Sequence, residues 1–213
     1  MDGPHQGQTL ATAGSPLSAA TGACVFVHGR GATAQGILGM RSEFTVSDIA
    51  FLAPQAANNT WYPNAFTAPV EMNEPGRSSG LEAIDTVIDE ITANDIPRKR
   101  VLVLGFSQGA CLASEYVARN PTRYGGLAVL SGGLIGERVS PDEYPGSLER
   151  TPVFLGCSDA DPHIPRQRVE QSAMIFEHLD ADVTKRLYQG MGHGINRDEL
   201  EFVSEMIDSL AST

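Results

Sequence analysis

Lysine is almost missing from this sequence of 213 residues, which holds only Lys99 and Lys185 and has a formal net charge of −11. A protein that binds nucleic acid carries a basic stripe or patch. The one basic cluster, Arg98-Lys99-Arg100, is brief and stands just before a predicted strand. We therefore expect no nucleic-acid partner, and we interpret the acidic excess as a solvated surface.

Cysteines and long apolar runs are also scarce. Cys24, Cys111 and Cys157 are odd in number and have no C-x-x-C spacing, so they indicate neither a disulfide framework nor a zinc site. Cys24 and Cys111 are expected to be buried small hydrophobic residues.

No stretch approaches the ~20 apolar residues of a membrane helix, and residues 1–20 lack the basic and apolar regions of a secretory signal. We expect a cytoplasmic protein without a membrane span.

Short apolar runs alternate with segments of helical periodicity. Strands are predicted at residues 23–28, 49–53, 101–105, 127–131 and 153–157, with a more polar strand at 183–188 and an outer strand at 8–13. Helices are predicted at residues 80–93, 108–119, 166–179 and 197–210. Ser79 and Glu82 are expected to form a capping box for the first of these helices. The alternation predicts an α/β protein: a three-layer α/β/α sandwich with a mostly parallel central sheet. We expect one domain over residues 1–213, with residues 1–20 partly irregular.

The segment Gly105-Phe106-Ser107-Gln108-Gly109 has the spacing G-x-S-x-G and lies between a strand pattern and a helix pattern. This is the context of a nucleophile elbow, a sharp turn that lifts the serine hydroxyl above the sheet. Glycine at both ends lets the backbones approach closely, and the N-terminus of the helix favours an anion. The sequence therefore predicts Ser107 as a nucleophile, and the alternative is a chance Gly-Ser-Gly turn.

A serine hydroxyl needs a base, and the chain offers five histidines: His5, His28, His163, His178 and His193. His193 stands in a glycine-rich segment, residues 190–194, between the last predicted strand and the last helix. Loops at the carboxyl ends of strands supply the catalytic residues of open α/β sheets. His193 is therefore the preferred base, and His163 is the second choice.

The carboxylate that orients the base is expected in the loop after strand 153–157, because the chain order Ser, Asp, His accompanies nucleophile elbows. Asp159 and Asp161 both lie there, and the residues alone leave the choice open. An oxyanion hole would take one N–H from Gln108, directly after the nucleophile. The second N–H would come from the loop after an early strand, here His28-Gly29-Arg30-Gly31.

These four motifs resemble those of the phospholipase/carboxylesterase family of α/β-hydrolases, which includes acyl-protein thioesterases, over nearly the whole chain. Residues 105–109 resemble the elbow of the family, and residues 192–194 resemble its histidine loop. Asp161-Pro162-x-Ile164-Pro165 resembles its acid loop, in which the Asp directly before Pro is catalytic. The resemblance implies an α/β-hydrolase fold, Asp161 rather than Asp159 as the third catalytic residue, and Arg30 as the second oxyanion donor.

The position after His-Gly separates branches of this family. The thioesterase branch usually has an apolar residue there, whereas short bacterial carboxylesterases more often have His-Gly-Arg-Gly, as here. The resemblance thus favours the branch of small bacterial or archaeal carboxylesterases, serine esterases that hydrolyse short- to medium-chain esters through an acyl-enzyme. Acyl-protein thioesterase or lysophospholipase activity is the alternative. A non-catalytic binding protein of the same fold is a further alternative, disfavoured because all three triad residues are present.

The long loop at residues 54–77, rich in Pro and Asn, is expected to cover the site. Trp61 from this loop, with Phe106 and Met191 beside the catalytic residues, is expected to line a compact substrate pocket. The alternative is that Trp61 and Phe66 only anchor the loop to the core. No metal or cofactor is expected, because no histidine pair has the H-E-x-x-H spacing. The expected partner is a small-molecule ester, and a homodimer is left open.

Overall fold

The structure is a computed structural model that describes residues 3–211, in which seven strands alternate with five α-helices. The strands are β1 (Leu10–Gly14), β2 (Gly22–Val27), β3 (Ile49–Pro54), β4 (Val101–Phe106), β5 (Gly126–Leu130), β6 (Pro152–Ser158) and β7 (Asp182–Tyr188). The helices are α1 (Ala34–Leu38), α2 (Gly76–Ala93), α3 (Gln108–Arg119), α4 (Arg166–His178) and α5 (Arg197–Leu210). All seven predicted strands and all four predicted helices are present, with bounds that mostly differ by one or two residues.

The seven strands form one sheet in the order β1-β3-β2-β4-β5-β6-β7. Only β1 runs antiparallel to its neighbour, β3, and the other pairs are parallel. This confirms the prediction of a mostly parallel sheet. Because parallel strands end at the same edge of a sheet, the loops after β2, β4, β6 and β7 all open at one edge.

Side chains of the central strands alternate between two cores. In β4, Val101 and Val103 pack in the core that contains residues of α2, α3 and α4, whereas Leu102 and Leu104 pack in the core that contains residues of α1 and α5. All four side chains are fully buried. Helices therefore cover both faces of the sheet, which is the predicted three-layer arrangement.

The predicted start of the helix at residue 80 was wrong. α2 begins at Gly76, so Ser79 lies inside its first turn and does not cap it. Ser79 Oγ instead donates a hydrogen bond to Gln6 Oε1 (2.8 Å) and accepts one from the His5 N–H (2.9 Å). The hydroxyl thus ties the N-terminal segment to the helix. Helix α1 was not predicted, because its five residues are too few for a helical period to be recognised.

The polarity of the elements agrees with the composition. No helix within residues 3–211 is long and apolar enough to cross a membrane. All three cysteines are unpaired and buried. Cys24 and Cys111 pack among apolar side chains as predicted. Burial raises the pKa of the Cys111 thiol to about 12, which keeps it protonated.

Helix α5 carries a buried carboxylate in its first turn. Asn196 Oδ1 accepts a hydrogen bond from the Glu199 N–H (2.9 Å), and Glu199 Oε2 accepts one from the Asn196 N–H (2.8 Å), which makes a capping box. Glu199 is 0% exposed, and its Oε1 has no hydrogen-bond partner in the described part of the chain. Burial raises the pKa of Glu199 to about 7, although the bond from Asn196 acts in the opposite direction.

We expect Glu199→Gln to stabilise the protein at neutral and mildly alkaline pH. The folded-state pKa of about 7 exceeds the ordinary glutamate pKa of 4.5, so the folded state binds more protons than the unfolded chain between these values. Ionisation of Glu199 therefore costs stability as pH rises through this window. Denaturant unfolding at pH 8 should show an advantage of Glu199→Gln on the order of 1–3 kcal/mol, shrinking steadily toward pH 4.5.

The matched control is Glu205→Gln, an exposed position on the same helix. Its difference from the wild-type free energy of unfolding should stay small and nearly constant with pH. An advantage of Glu199→Gln that is equal at both pH values would contradict the explanation by burial.

Candidate active site

Ser107 lies at the turn between β4 and α3. Its backbone has φ 56° and ψ −120°, in a region that residues other than glycine rarely adopt. A Cβ atom at Gly105 would collide with the backbone of Gly109, and one at Gly109 would collide with the Val27 carbonyl. Glycine at both positions therefore allows α3 to begin directly behind β4, so the turn at Ser107 can be sharp.

His193 reaches Ser107 from the loop between β7 and α5. Its Nε2 lies 2.9 Å from Ser107 Oγ. Its ring packs against the rings of Phe106 and His163, whose centroids are 5.1 and 4.8 Å away. The loop turns at Gly192, whose φ of 78° favours glycine. The structure thus brings the predicted nucleophile and the preferred base together, while His163 packs edge-on against the His193 ring.

Asp161 lies on the far side of the His193 ring, with Oδ2 2.8 Å from His193 Nδ1 and with its side chain 0% exposed. Its Oδ1 accepts hydrogen bonds from the N–H groups of His163 (2.8 Å) and Ile164 (3.0 Å). Burial opposes ionisation, but the hydrogen bonds from His193, His163 and Ile164 outweigh it and hold the pKa of Asp161 below its ordinary value. An ionised carboxylate fixed in this way can orient Nδ1–H and stabilise an imidazolium.

Asp159, the other carboxylate of this loop, supports the histidine loop instead. Its Oδ1 accepts a hydrogen bond from the Gly190 N–H (2.9 Å), and Ser158 Oγ accepts one from the Gly192 N–H (3.1 Å). The structure therefore places Asp161, the residue implied by the resemblance, next to His193. Asp159 contacts the backbone of the loop that carries the base.

Arg30 and Gln108 both border the space in front of Ser107. Gln108 is the first residue of α3, so its N–H has no partner within the helix. Arg30 follows Gly29, at which an added Cβ would lie 3.3 Å from the Phe106 carbonyl oxygen and 3.4 Å from Ser107 Cβ. The backbone before Arg30 thus passes close to the nucleophile, in the neighbourhood that an oxyanion hole requires.

A cavity of about 370 Å³ opens at Ser107 and His193, with a volume near the lower end of the usual range for small-molecule sites. It is lined by Arg30, Tyr62, Asn64, Ala65, Phe66, Ser107, Gln108, Cys111, His163, Ile164 and His193. The lining mixes apolar with polar side chains and contains no carboxylate.

The predicted pocket residues Trp61, Phe106 and Met191 do not line this cavity, so that prediction was wrong. Trp61 is 0% exposed and its Nε1 donates a hydrogen bond to the His28 carbonyl (2.8 Å), so it anchors the loop of residues 54–77 to the chain after β2. Phe106 packs against the His193 ring instead. Met191 Sδ accepts a hydrogen bond from Asn196 Nδ2 (2.9 Å).

The place of Tyr62 in the cavity wall and the bridging role of His28 were not predicted from the sequence. Tyr62 follows Trp61 and faces the cavity, but adjacency to an aromatic residue was the only signal for it. His28 is 0% exposed, with Nδ1 donating to the Gly29 carbonyl (2.8 Å) and Nε2 accepting from the Ala56 N–H (3.1 Å). Burial lowers the pKa of His28, against the effect of the Gly29 bond. It is a neutral bridge between two loops.

A larger cavity, of about 560 Å³, lies at the other side of the molecule between β1 and α2. Its lining includes Ser15, Ser18 and Glu90 but no histidine or cysteine, so the part of it that the structure describes offers no imidazole beside a serine. Within residues 3–211, no three His, Cys, Asp or Glu side chains form a group that could hold a metal ion.

Comparison with known proteins agrees with this geometry. Residues 10–211 match the profile of the Phospholipase/Carboxylesterase family. The chain is similar to the crystal structure of a phospholipase/carboxylesterase from Dyadobacter fermentans, with 41% identity and a TM-score of 0.91, covering 94% of this chain and 96% of that one.

Two yeast proteins are more distant in sequence. Acyl-protein thioesterase 1 of Kluyveromyces lactis is 32% identical over 130 residues, which are 59% of this chain and only 57% of that protein. Acyl-protein thioesterase 1 of Candida albicans is 26% identical over 216 residues, covering 91% of this chain and 94% of that one. The family match spans nearly all described residues and confirms the resemblance seen in the motifs. This chain therefore belongs to the phospholipase/carboxylesterase family of α/β-hydrolases and is an ester hydrolase.

Proposed function

We propose that the chain is a serine carboxylesterase that hydrolyses short- to medium-chain carboxylic esters through an acyl-enzyme. The observation that carries the proposal is the hydrogen-bonded series from Asp161 Oδ2 to His193 Nδ1 (2.8 Å) and from His193 Nε2 to Ser107 Oγ (2.9 Å). A serine that touches an imidazole, which in turn touches an ionised carboxylate, is equipped for nucleophilic acyl transfer.

In the first half of the proposed reaction, Ser107 Oγ attacks the ester carbonyl carbon and His193 Nε2 takes the hydroxyl proton. The bond to the alcohol oxygen then breaks, and His193 gives the proton to the departing alkoxide. The acyl group stays on Ser107. Asp161 holds the Nδ1–H in place and stabilises the imidazolium. The N–H groups of Arg30 and Gln108 bind the carbonyl oxygen while it carries negative charge.

In the second half, a water molecule repeats the attack. His193 takes one proton from the water, whose oxygen adds to the acyl carbon, and the bond to Ser107 Oγ breaks. The proton returns to Ser107, and the carboxylic acid leaves. One ester and one water thus give one acid and one alcohol, and the enzyme is restored.

The proposed preference for short and medium acyl chains rests on the cavity. Each CH₂ group that leaves water contributes ~0.8 kcal/mol, so a long-chain enzyme needs a continuous apolar surface. The apolar residues of the lining are limited to Ala65, Phe66, Cys111 and Ile164, with Tyr62 beside them, and polar side chains interrupt them. A volume of about 370 Å³ fits a compact acyl group.

Thioester hydrolysis is a second candidate, because both yeast relatives described above carry the name acyl-protein thioesterase. The same attack by Ser107 would cleave a thioester. A matched pair of substrates, one oxygen ester and one thioester with the same acyl group, separates the two through their kcat/KM values. We expect a high kcat/KM for the oxygen ester.

Ser107→Ala is expected to lower esterase activity by roughly three or more orders of magnitude while the protein stays folded, because loss of one triad member disables the unit. Turnover of 4-nitrophenyl acetate and the thermal unfolding midpoint measure the two effects. Ser78→Ala, at an exposed serine, is the control and should behave as wild type. Near wild-type turnover by purified Ser107→Ala would rule out Ser107 as the nucleophile.

Asp161→Asn is expected to lower kcat far more than Asp159→Asn. An amide at position 161 no longer holds His193 in the correct tautomer, and a loss of ~10⁴ in kcat has precedent for such a change. Asp159 Oδ1 accepts a hydrogen bond from the Gly190 N–H of the loop, so its replacement should affect mainly local stability. The comparison is of kcat for the two variants under identical conditions. If the two rank in the reverse order, the carboxylate has been assigned wrongly.

Substrate size provides a third test. We expect kcat/KM for 4-nitrophenyl esters to peak between acetyl and hexanoyl and to fall for longer chains, because the apolar surface beside Ser107 is short. Each substrate must be kept below its micelle concentration. Values that continue to rise through dodecanoyl would show that the acyl site is long and would favour the thioesterase alternative.

A further inference from the structure

The guanidinium of Arg30, at the edge of the cavity, binds main-chain oxygens. Its Nη2 donates to the carbonyl groups of Tyr62 (2.9 Å) and Asn64 (2.8 Å), and its Nη1 donates to that of Pro63 (2.9 Å). One side chain thus binds three consecutive carbonyls. This requires the planar fork of fixed donors that arginine has and lysine lacks.

Residues 61–64, which we call the clamp loop, are also bound by the other residue assigned to the oxyanion hole. Gln108 Nε2 donates to the Tyr62 carbonyl (2.8 Å), and Gln108 Oε1 accepts from the Trp61 N–H (3.0 Å). The Tyr62 carbonyl therefore accepts from both Arg30 and Gln108. The clamp loop connects the side chains of the two residues to which the proposed function assigns the N–H groups of the oxyanion hole.

The clamp loop is itself firmly held. Asn73, which is 0% exposed, accepts a hydrogen bond from the Asn64 N–H (2.9 Å) and donates one to the Ala65 carbonyl (2.9 Å). Asn64 Nδ2 donates to the Met72 carbonyl (2.6 Å). Because these bonds fix the loop from behind, its carbonyls are a rigid support for Arg30.

The neighbours of Arg30 are tied to the same stretch of chain. The His28 carbonyl accepts a hydrogen bond from Trp61 Nε1 (2.8 Å), and the Gly31 N–H donates one to the Asn59 carbonyl (2.7 Å). The chain is therefore held on both sides of Arg30. The Arg30 guanidinium adds a link to this stretch of chain at the residue whose own N–H must be oriented toward the oxyanion.

We infer that Arg30 is a positioning residue: its guanidinium fixes its own backbone N–H and the cavity wall at the clamp loop in one rigid relation. The inference rests on the proposed function, in which that N–H binds the oxyanion. A donor for an oxyanion must lie within a narrow range of distances from the site of the charge. Without the hydrogen bonds from the Arg30 guanidinium to the clamp loop, stabilisation of the transition state should fall, while the substrate should still bind in its ground state.

The test compares Arg30→Met and Arg30→Lys with wild type on 4-nitrophenyl butyrate, with kcat expressed per serine titrated by a fluorophosphonate. Arg30→Met should lower kcat and kcat/KM together by roughly ten- to a hundredfold, less than the ~10²–10³ that loss of a whole oxyanion donor costs, with KM nearly unchanged. Arg30→Lys keeps the charge without the fork and should recover little. Binding of a boronic acid that forms a tetrahedral adduct on serine should weaken by the same factor.

Arg41 provides the matched control. It donates to the carbonyls of Phe44 and Val46, both at 3.4 Å, and does not line the cavity of the active site. Arg41→Met thus removes a carbonyl-binding guanidinium elsewhere and should retain wild-type kcat. A merely structural role of Arg30 would lower the unfolding midpoint and leave kcat per titrated serine unchanged.

Each outcome bears on a separate statement. A normal kcat per titrated serine in Arg30→Met, or in Arg30→Lys, would overturn the inference and leave the proposed function intact. If Arg30→Met does not fold, Arg30→Lys alone decides by the same criterion. A wild-type protein whose Ser107 is not labelled by the fluorophosphonate would contradict the proposed function itself, and the inference with it.

Discussion

The turn between β4 and α3 leaves no free space between a central strand and a buried helix. Gly105 packs on the backbone of Gly109, which in turn packs on the Val27 carbonyl of β2. Side chains at these positions would push α3 away from the sheet. The positive φ of Ser107 is maintained by this packing, because a strained conformation persists only where its surroundings determine it.

Helix α3 is held in place by a buried ionic cluster as well as by apolar contacts. The carboxylate of Glu115 is 0% exposed and accepts hydrogen bonds from Arg77, Arg119, the Tyr144 hydroxyl and the Ile135 N–H. A buried charge is tolerated only when it is paired and its remaining acceptor positions are filled. The cluster connects α2 and the segment after β5 to the helix that begins behind Ser107. The position of the nucleophile thus depends on parts of the chain far from it.

The remaining parts of the site gather at Ser107 because of the sheet topology. Arg30 follows β2, Asp161 follows β6 and His193 follows β7, and these parallel strands all end at the same edge. Ser107 and His193 are 86 residues apart in the chain, yet their side chains meet at 2.9 Å. Crossover connections in a parallel sheet bring distant segments together in this way. The loops that meet at this edge are stabilised by hydrogen bonds to their backbone from the side chains of Asn73, Asp159 and Gln108.

The sequence by itself determined the layers of the fold and the nucleophile turn. Periodicity and glycine spacing are local properties, so the strands, α3, Ser107 and the histidine loop could be recognised without coordinates. The resemblance added Asp161, since the residues alone left Asp159 open. Only the tertiary structure decided that Trp61 lies beneath its loop while Tyr62 faces the cavity, that α2 begins at Gly76, and that Arg30 binds the clamp loop. These features depend on contacts between segments that are distant in the chain, and no local pattern records which neighbour a side chain will meet.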